Sequence, residues 1–198
     1  SSLDDDRSLS VGDLTVNEGS NYAVFTVSGT AGLSVALTLE GASGGSGIAD
    51  LRSGGTLPGL EVWNGTSWVA YDGTSTVMPA NGELHVRVST VAEQDGTYEG
   101  DETFKLRAAY TGGASRSVVG TATIVDDGTG TKYGPGPNDT STSSLDDDRS
   151  LSVGDLTVNE ASNYAVFTVN GTAGLSVSLA LEGASGGSGI ADLRSGGT

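Results

Sequence analysis

The residues best suited to chemistry in this sequence are carboxylates, which are concentrated in three parts of the chain. Most of the 25 Asp and Glu residues lie in 1–18, 93–102 and 126–160, and only 9 Lys and Arg oppose them, giving a net charge of −16. Clustered like charges repel one another. Calcium binds six to eight oxygen ligands from carboxylates and backbone carbonyls. The pattern therefore predicts bound Ca²⁺; an acidic surface that is merely solvated is the alternative.

The densest group of carboxylates is the block DGTYEGDETF, residues 95–104, which contains Asp95 and Glu99 and leads into a strand-like run. Its two glycines permit tight turns. Glu18 ends the first predicted strand of the domain, and Asp126 and Asp127 end the last one. We expect these carboxylates to converge at one end of the domain, where a cation would offset their repulsion.

A second acidic run follows a segment made mainly of Gly, Pro, Ser and Thr, and it is a candidate for a junction ion. Such an ion would be shared between the end of one repeat and the start of the next. Without metal the segment 128–144 should be flexible; a disordered linker without any ion is the alternative. The candidate junction ligands are Asp146, Asp147, Asp148, Asp155 and Glu160, the first four of which repeat Asp4, Asp5, Asp6 and Asp13.

The chain contains an internal repeat, which must be recognised before the fold is interpreted. Residues 1–56 and 143–198 align without a gap and differ at only four positions. The differences are Gly19/Ala161, Ser28/Asn170, Ala36/Ser178 and Thr38/Ala180. We interpret the sequence as a fragment of a tandem array, with a sandwich repeat at 1–127, a linker at 128–154 and the truncated start of the next repeat at 155–198.

The apolar residues alternate with period two, which indicates strands with one face in the core and one in water. Asn64–Ser67 separates two apolar runs and predicts a hairpin. No helical period stands out, so the sequence predicts an all-β sandwich of two sheets. The truncated copy has too few strands to cover its apolar faces, and we expect it to self-associate. The predicted strands are Leu14–Val16, Tyr22–Val27, Leu33–Leu39, Leu60–Trp63, Trp68–Tyr71, Leu84–Val88, Phe104–Ala108 and Val118–Val125.

Three motifs, Val16-Asn17-Glu18, the block 95–104 and Ile124–Gly128, give the chain a family resemblance. Together they resemble a Calx-β-type repeat and, more closely, the extender repeats of giant bacterial repeats-in-toxin adhesins. The resemblance implies an immunoglobulin-like Greek-key β-sandwich with Ca²⁺ at the domain end and linker, type I secretion and a place on the bacterial cell surface. The ligands that it implies within the repeat are Glu18, Asp50, Asp95, Glu99, Asp126 and Asp127.

Composition excludes several other classes of protein. The negative charge argues against nucleic acid and anionic membranes as partners, and no apolar run is long enough to cross a membrane. There is no Cys and only one His, His85, so a nucleophile and base have little to be built from. Asp95 and Glu99 could form a glycosidase pair, but nothing in the sequence indicates a substrate cleft. We therefore expect a protein that is not an enzyme.

The interpretation that results is a calcium-stabilised structural extender of an extracellular adhesin. Neighbouring repeats of the same chain would be its partners, and it would project a binding domain away from the cell. The first alternative is a carbohydrate-binding module that holds sugar with the hairpin of Trp63 and Trp68 and the loop Ala42–Gly55. The second is a cytosolic calcium sensor. Near-identical tandem copies favour the extender.

Overall fold

The computed structural model describes residues 6–113, 115–183, 185–188 and 190–193. The chain divides into two compact units, Ser1–Arg149 and Ser150–Thr198. The first unit therefore includes the acidic run 146–148, which by sequence belongs to the start of the second repeat copy. Asp4 and Asp5, two of the acidic residues noted above, lie outside the described residues.

The described residues form short and medium strands, and their only helix is a 3₁₀ turn at Val91–Glu93. This confirms the predicted all-β class. In chain order the strands are β1 (Leu9–Val11), β2 (Leu14–Asn17), β3 (Tyr22–Gly29), β4 (Ser34–Glu40), β5 (Glu61–Trp63), β6 (Trp68–Ala70), β7 (Thr76–Val77), β8 (Glu83–Ser89), β9 (Glu102–Tyr110), β10 (Ser117–Val125), β11 (Lys132–Tyr133), β12 (Thr140–Ser141), β13 (Leu151–Val153), β14 (Val169–Gly171), β15 (Ser185–Gly187) and β16 (Ile190–Asp192).

The first unit is an immunoglobulin-like sandwich of two five-stranded sheets. Their strand orders are β1-β3-β8-β5-β6 and β2-β10-β9-β4-β7. Most neighbours that pair are not consecutive in sequence, so the chain crosses repeatedly between the sheets. Every pair is antiparallel except β2 with β10, which run parallel in the register Val125↔Asn17 at their shared end. That parallel pair positions the acidic residues described below.

The core lies between the sheets and is built from alternate residues of the long strands. Phe25 of β3 and Phe104 of β9 are each 1% exposed, and their rings meet edge to face with centroids 5.9 Å apart. Such an aromatic pair contributes about 0.5–1.5 kcal/mol beyond the area that it buries. Because successive side chains of a strand point to opposite faces, the alternation in the sequence places these rings inside.

The predicted hairpin is formed by β5 and β6, with Trp63 opposite Trp68. The Asn64 side chain accepts hydrogen bonds from the backbone N–H groups of Thr66 and Ser67 and so closes the turn. The guanidinium of Arg87 stacks on the Trp68 ring, 4.7 Å from its centroid. The hairpin thus packs its aromatic residues onto the sandwich.

The segment after β10 returns along the first unit, a course that the sequence did not predict. The backbone N–H of Asn17 donates to the carbonyl of Thr131 at 3.1 Å, and Tyr133 N–H donates to Ser20 Oγ at 2.9 Å. β11 and β12 then pair as a short antiparallel ladder. The three-residue strand β1 and the two-residue strand β7 were not predicted either. They are too short for an alternation of apolar and polar residues to be recognised in the sequence.

The second unit repeats pieces of the first but leaves its apolar side chains exposed. β13 pairs with β14 in the same register as β1 with β3, as Leu151↔Gly171 corresponds to Leu9↔Gly29. Val166, however, is 79% exposed, whereas its equivalent in the first copy, Val24, is 6% exposed. The expected self-association of this copy stays a prediction.

Candidate metal centre

Four chain segments bring carboxylates together at one end of the first sandwich. Glu18 directly follows β2 and Asp126 directly follows β10, and the parallel pairing of these strands puts both residues at the same edge. The loop after the 3₁₀ turn supplies Asp95. The fourth carboxylate, Asp148, comes from the acidic run that by sequence starts the next repeat.

The carboxylates of this acidic centre, defined by Glu18, Asp95, Asp126 and Asp148, lie close to one another. One oxygen from each of Glu18, Asp95 and Asp148 lies within 4.8 Å of the other two. Glu18 is 4% exposed, and its Oε1 accepts the backbone N–H of Asp95 at 3.0 Å. Asp126 is 2% exposed, and its Oδ1 accepts the backbone N–H of Asp148 at 3.0 Å.

Two oxygens of the centre are buried without any hydrogen-bond partner. They are Oδ2 of Asp126 and Oδ2 of Asp148. A buried carboxylate oxygen that lacks a donor is costly, and such atoms in a native site call for an ion or a water. These two unpartnered atoms are the strongest structural indication that the centre accommodates a cation.

The electrostatics agree with that indication. Burial raises the pKa of Glu18 to about 7; the N–H of Asp95 opposes the rise, and the negative charges of Asp126, Asp148 and Asp95 add to it. Burial and neighbouring carboxylates also raise the pKa values of Asp126 and Asp148. Without a cation, full ionisation of the centre at neutral pH is therefore unfavourable.

A second carboxylate cluster consists of Glu93, Glu99 and Glu102, which also offer oxygens within 4.8 Å of one another. Burial raises the pKa of Glu93 well above its usual range, and a hydrogen bond shared with Glu102 raises it further. Burial and the charges of Glu102 and Asp95 raise the pKa of Glu99. The sequence predicted Glu99 as a ligand but not Glu93 or Glu102, and the density of acidic residues in 93–102 was the only signal that could have indicated them.

Other predicted ligands have different partners. Asp50 forms a bidentate ion pair with Arg52 at 2.6 and 2.7 Å, and this hydrogen bonding lowers the pKa of Asp50 to about 2. Asp147 is paired in the same way with Arg149, which lowers its pKa. The carboxylates of these two residues are committed to guanidinium groups and do not join the acidic centre.

The side chain of Asp127 closes a local turn by accepting hydrogen bonds from the backbone N–H and the hydroxyl of Thr129. Asp146 is held by its backbone, as described below. Asp155 and Glu160 are exposed residues of the second unit. Asp13, the first-copy equivalent of Asp155, accepts the backbone N–H of Thr121 at 2.7 Å, a structural contact between β1–β2 and β10.

Asn17 is the residue of this region to which the sequence analysis assigned no role. It is completely buried at the end of β2, and its amide binds the backbone of Asp146. The only signal in the sequence was its place beside Glu18 in the Val16-Asn17-Glu18 motif.

Comparison with known proteins finds only structural similarities of low score and low sequence identity. No protein-family model and no curated protein matches the chain. Among solved structures it is similar to AggA, the major subunit of aggregative adherence fimbriae type I from Escherichia coli, with a TM-score of 0.37 and 20% identity over 62% of this chain and 97% of that chain. It is also similar to the periplasmic chaperone SfaE, with a TM-score of 0.35 and 11% identity over 60% of this chain and 57% of that chain.

A third similar structure is the CupB2 chaperone of Pseudomonas aeruginosa, with a TM-score of 0.36 and 12% identity over 57% of this chain and 52% of that chain. This chain therefore spans only slightly more than half the length of the two chaperones. Within the described residues, no helix has the length and apolarity that a membrane span needs.

Proposed function

We propose that the chain is a calcium-stabilised structural repeat of an extracellular bacterial adhesin stalk. The observation that carries the proposal is the pair of unpartnered, buried oxygens of Asp126 and Asp148 beside Glu18 and Asp95. All the available ligand atoms are oxygens, which suits a hard cation. Zinc sites in proteins usually include nitrogen or sulfur ligands, and none lies among the four residues.

Calcium fits this centre better than magnesium does. Calcium accepts six to eight oxygens at about 2.3–2.6 Å in flexible geometry, whereas magnesium demands near-ideal octahedral geometry and dehydrates reluctantly. Four carboxylates, three of which also accept a backbone N–H, provide many oxygens from four separate chain segments. A flexible coordination shell can accommodate ligands that come from separate segments and are not arranged in a regular octahedron.

The position of Asp148 supports a role in linking repeats. By sequence it is the equivalent of Asp6 and opens the second repeat copy, yet it lies at the end of the first sandwich. A cation held by Glu18, Asp126 and Asp148 would therefore tie one repeat to the beginning of the next. Repetition of such ties along a tandem array would produce a stalk.

Thermal unfolding in calcium and in chelator tests the metal proposal. Bound calcium should stabilise the first unit by RT ln(1 + [Ca²⁺]/Kd), about 4 kcal/mol at a thousandfold excess over Kd. Asp148→Asn should remove most of this shift. Asp6→Asn, the same change at the equivalent exposed position of the first copy, should leave it intact. An identical melting temperature in calcium and chelator would refute the proposal.

A chain of two complete repeats tests the stalk. Small-angle scattering should give a larger maximum dimension in calcium than in chelator. Substitution of Asp146, Asp147 and Asp148 by Asn should abolish the difference. If the substituted chain stays as extended as the parent, these carboxylates do not stiffen the junction.

The carbohydrate-binding alternative rests on a groove of about 590 Å³ beside the hairpin, lined by Trp63, Asn64, His85 and Asn138 among others. The other hairpin indole, Trp68, donates its Nε1–H to the carbonyl of Pro135 at 2.8 Å and stacks with Arg87, so it serves packing. A glycan array separates the two functions, because a structural repeat should bind no sugar on it.

A further inference from the structure

The buried amide of Asn17 uses its full hydrogen-bonding capacity, and half of that capacity goes to a segment 129 residues away. Nδ2 donates to the carbonyls of Thr129 at 2.9 Å and Asp146 at 3.0 Å. Oδ1 accepts the backbone N–H of Asp146 at 2.8 Å and that of Gly19 at 3.1 Å. An amide has two donor hydrogens and two acceptor lone pairs, so none is left unused.

Asn17 therefore binds both backbone groups of Asp146, as a neighbouring strand would. Further contacts extend this docking along the same segment. The backbone N–H of Gly128 donates to the Asp146 carbonyl at 2.9 Å, and Lys132 Nζ donates to the Ser144 carbonyl at 3.1 Å. These bonds are made with the backbone of the docked segment, so they fix its position and need no metal ion.

The turn that presents Asn17 forms from local sequence alone. In the second copy the equivalent residue, Asn159, is exposed, yet its Oδ1 accepts the backbone N–H of Ala161 at 2.9 Å and its carbonyl accepts that of Ser162 at 2.9 Å. The first copy has the same two bonds, from Gly19 and Ser20. The amide is thus pre-organised before anything docks on it, which lowers the entropic cost of binding.

We infer that Asn17 is a latch that docks the start of the following repeat, residues 143–149, onto the end of the first sandwich without metal. Docking then carries Asp148 into the acidic centre, so Asn17 is a positioning residue for the cation. This second part rests on the proposed function; the first does not. The docked segment is by sequence the SSLDDDR opening of a repeat, so each repeat would complete the fold of its predecessor.

The absence of a side chain at Gly19 allows the segment 143–149 to pack closely against the turn that follows β2. A Cβ at this position would lie 3.1 Å from Asn17 Oδ1, 3.2 Å from Asp146 Cβ and 3.3 Å from Lys132 Nζ, all tighter than ordinary contacts. The second copy carries Ala161 here, one of only four differences between the copies. A repeat with Ala at this position should therefore hold the segment that follows it less tightly than a repeat with Gly.

Amide hydrogen exchange of the full chain in chelator tests the latch directly. In the parent chain the amides of Asp146 and Gly128 should be protected. Asn17→Ala should accelerate their exchange about tenfold or more, because the variant loses the side-chain hydrogen bonds that hold the backbone of Asp146. Amides in the middle of β8 and β9 serve as the internal reference for the fold. Asn81→Ala is the matched control, since Asn81 closes an exposed turn by accepting Glu83 N–H at 3.1 Å.

Gly19→Ala provides a milder variant in case Asn17→Ala fails to fold. It should accelerate exchange of the Asp146 amide by a smaller factor, whereas Gly59→Ala, at a position with open space around the Cβ, should not. Unprotected Asp146 and Gly128 amides in the parent would overturn the latch. So would protection that neither Asn17→Ala nor Gly19→Ala changes.

Calcium titration of the same proteins separates the latch from the proposed function. Asn17→Ala should weaken calcium binding about tenfold or more, because Asp148 is no longer held in place, and Asn81→Ala should not. If the exchange results hold but the parent binds no calcium, the latch stands and the calcium proposal fails. If calcium affinity is unchanged in a folded Asn17→Ala chain, the positioning role of Asn17 is wrong.

Discussion

Replacement of Glu18 by Gln should have opposite effects on stability in chelator and in calcium. Glu18 is buried among three other carboxylates, and its pKa is raised to about 7. Gln preserves the size of the side chain and keeps an Oε1 that can accept the Asp95 N–H, but it removes the charge. The substitution therefore isolates the electrostatic contribution of one group.

The sign of the stability change in chelator follows from the linkage between proton binding and folding. Between the ordinary pKa of 4.5 and the folded-state value of about 7, the folded state holds a proton that the unfolded state has released. The stability contributed by this proton is present below pH 4.5 and is lost as the pH rises through 7. The difference corresponds to at most about 3 kcal/mol, and screening near the exposed Asp95 should reduce it to about 1–2 kcal/mol.

In chelator at pH 8, Glu18→Gln should thus be more stable than the parent by about 1–2 kcal/mol. In saturating calcium the order should reverse, because the variant lacks a charged ligand and loses much of the roughly 4 kcal/mol that the ion contributes. Urea unfolding followed by tryptophan fluorescence reports on the first unit, since both tryptophans lie in its hairpin.

Glu160→Gln is the matched control, because it makes the same change at the equivalent position of the second copy, where the residue is exposed. It should change the urea midpoint little in either solution. The electrostatic reasoning is wrong if Glu18→Gln lowers the stability in chelator at pH 8. It is also wrong if, in chelator, the stability of the parent changes from pH 5 to 7 in the same way as that of the variant.

Two further predictions concern the sandwich. Gly120→Ala should destabilise it by about 2 kcal/mol or more, because the new Cβ would lie 2.5 Å from a methyl group of Val11, whereas Gly59→Ala, with open space around it, should change the urea midpoint little. Tyr110→Phe should cost about 0.5–1.5 kcal/mol by removing the hydroxyl that bridges the Ser8 carbonyl and the Thr30 N–H, which keep their direct hydrogen bond at 3.1 Å. An unchanged urea midpoint in either variant would contradict the packing described.

The strands and the hairpin were predictable because their determinants are local. Alternation marked β3, β4, β8, β9 and β10, and the turn residues Asn64–Ser67 marked the hairpin. The expectation that Glu18, Asp95 and Asp126 meet at one end followed from their places at the ends of predicted strands or just before one. What remained open was which carboxylates acquire other partners. Asp50 and Asp147 each have an arginine two residues later that folds back on them, and Asp148 does not.

By itself, the sequence determined the all-β class, the repeat and the acidic end of the domain, since these depend on period, composition and neighbours along the chain. Only the tertiary structure decided where the first domain ends and what completes its acidic centre. The amide of Asn17 and the backbone of Asp146 are 129 residues apart, and no local pattern records their contact. It exists because the parallel pairing of β2 and β10 creates an edge whose hydrogen-bonding groups the returning chain must satisfy.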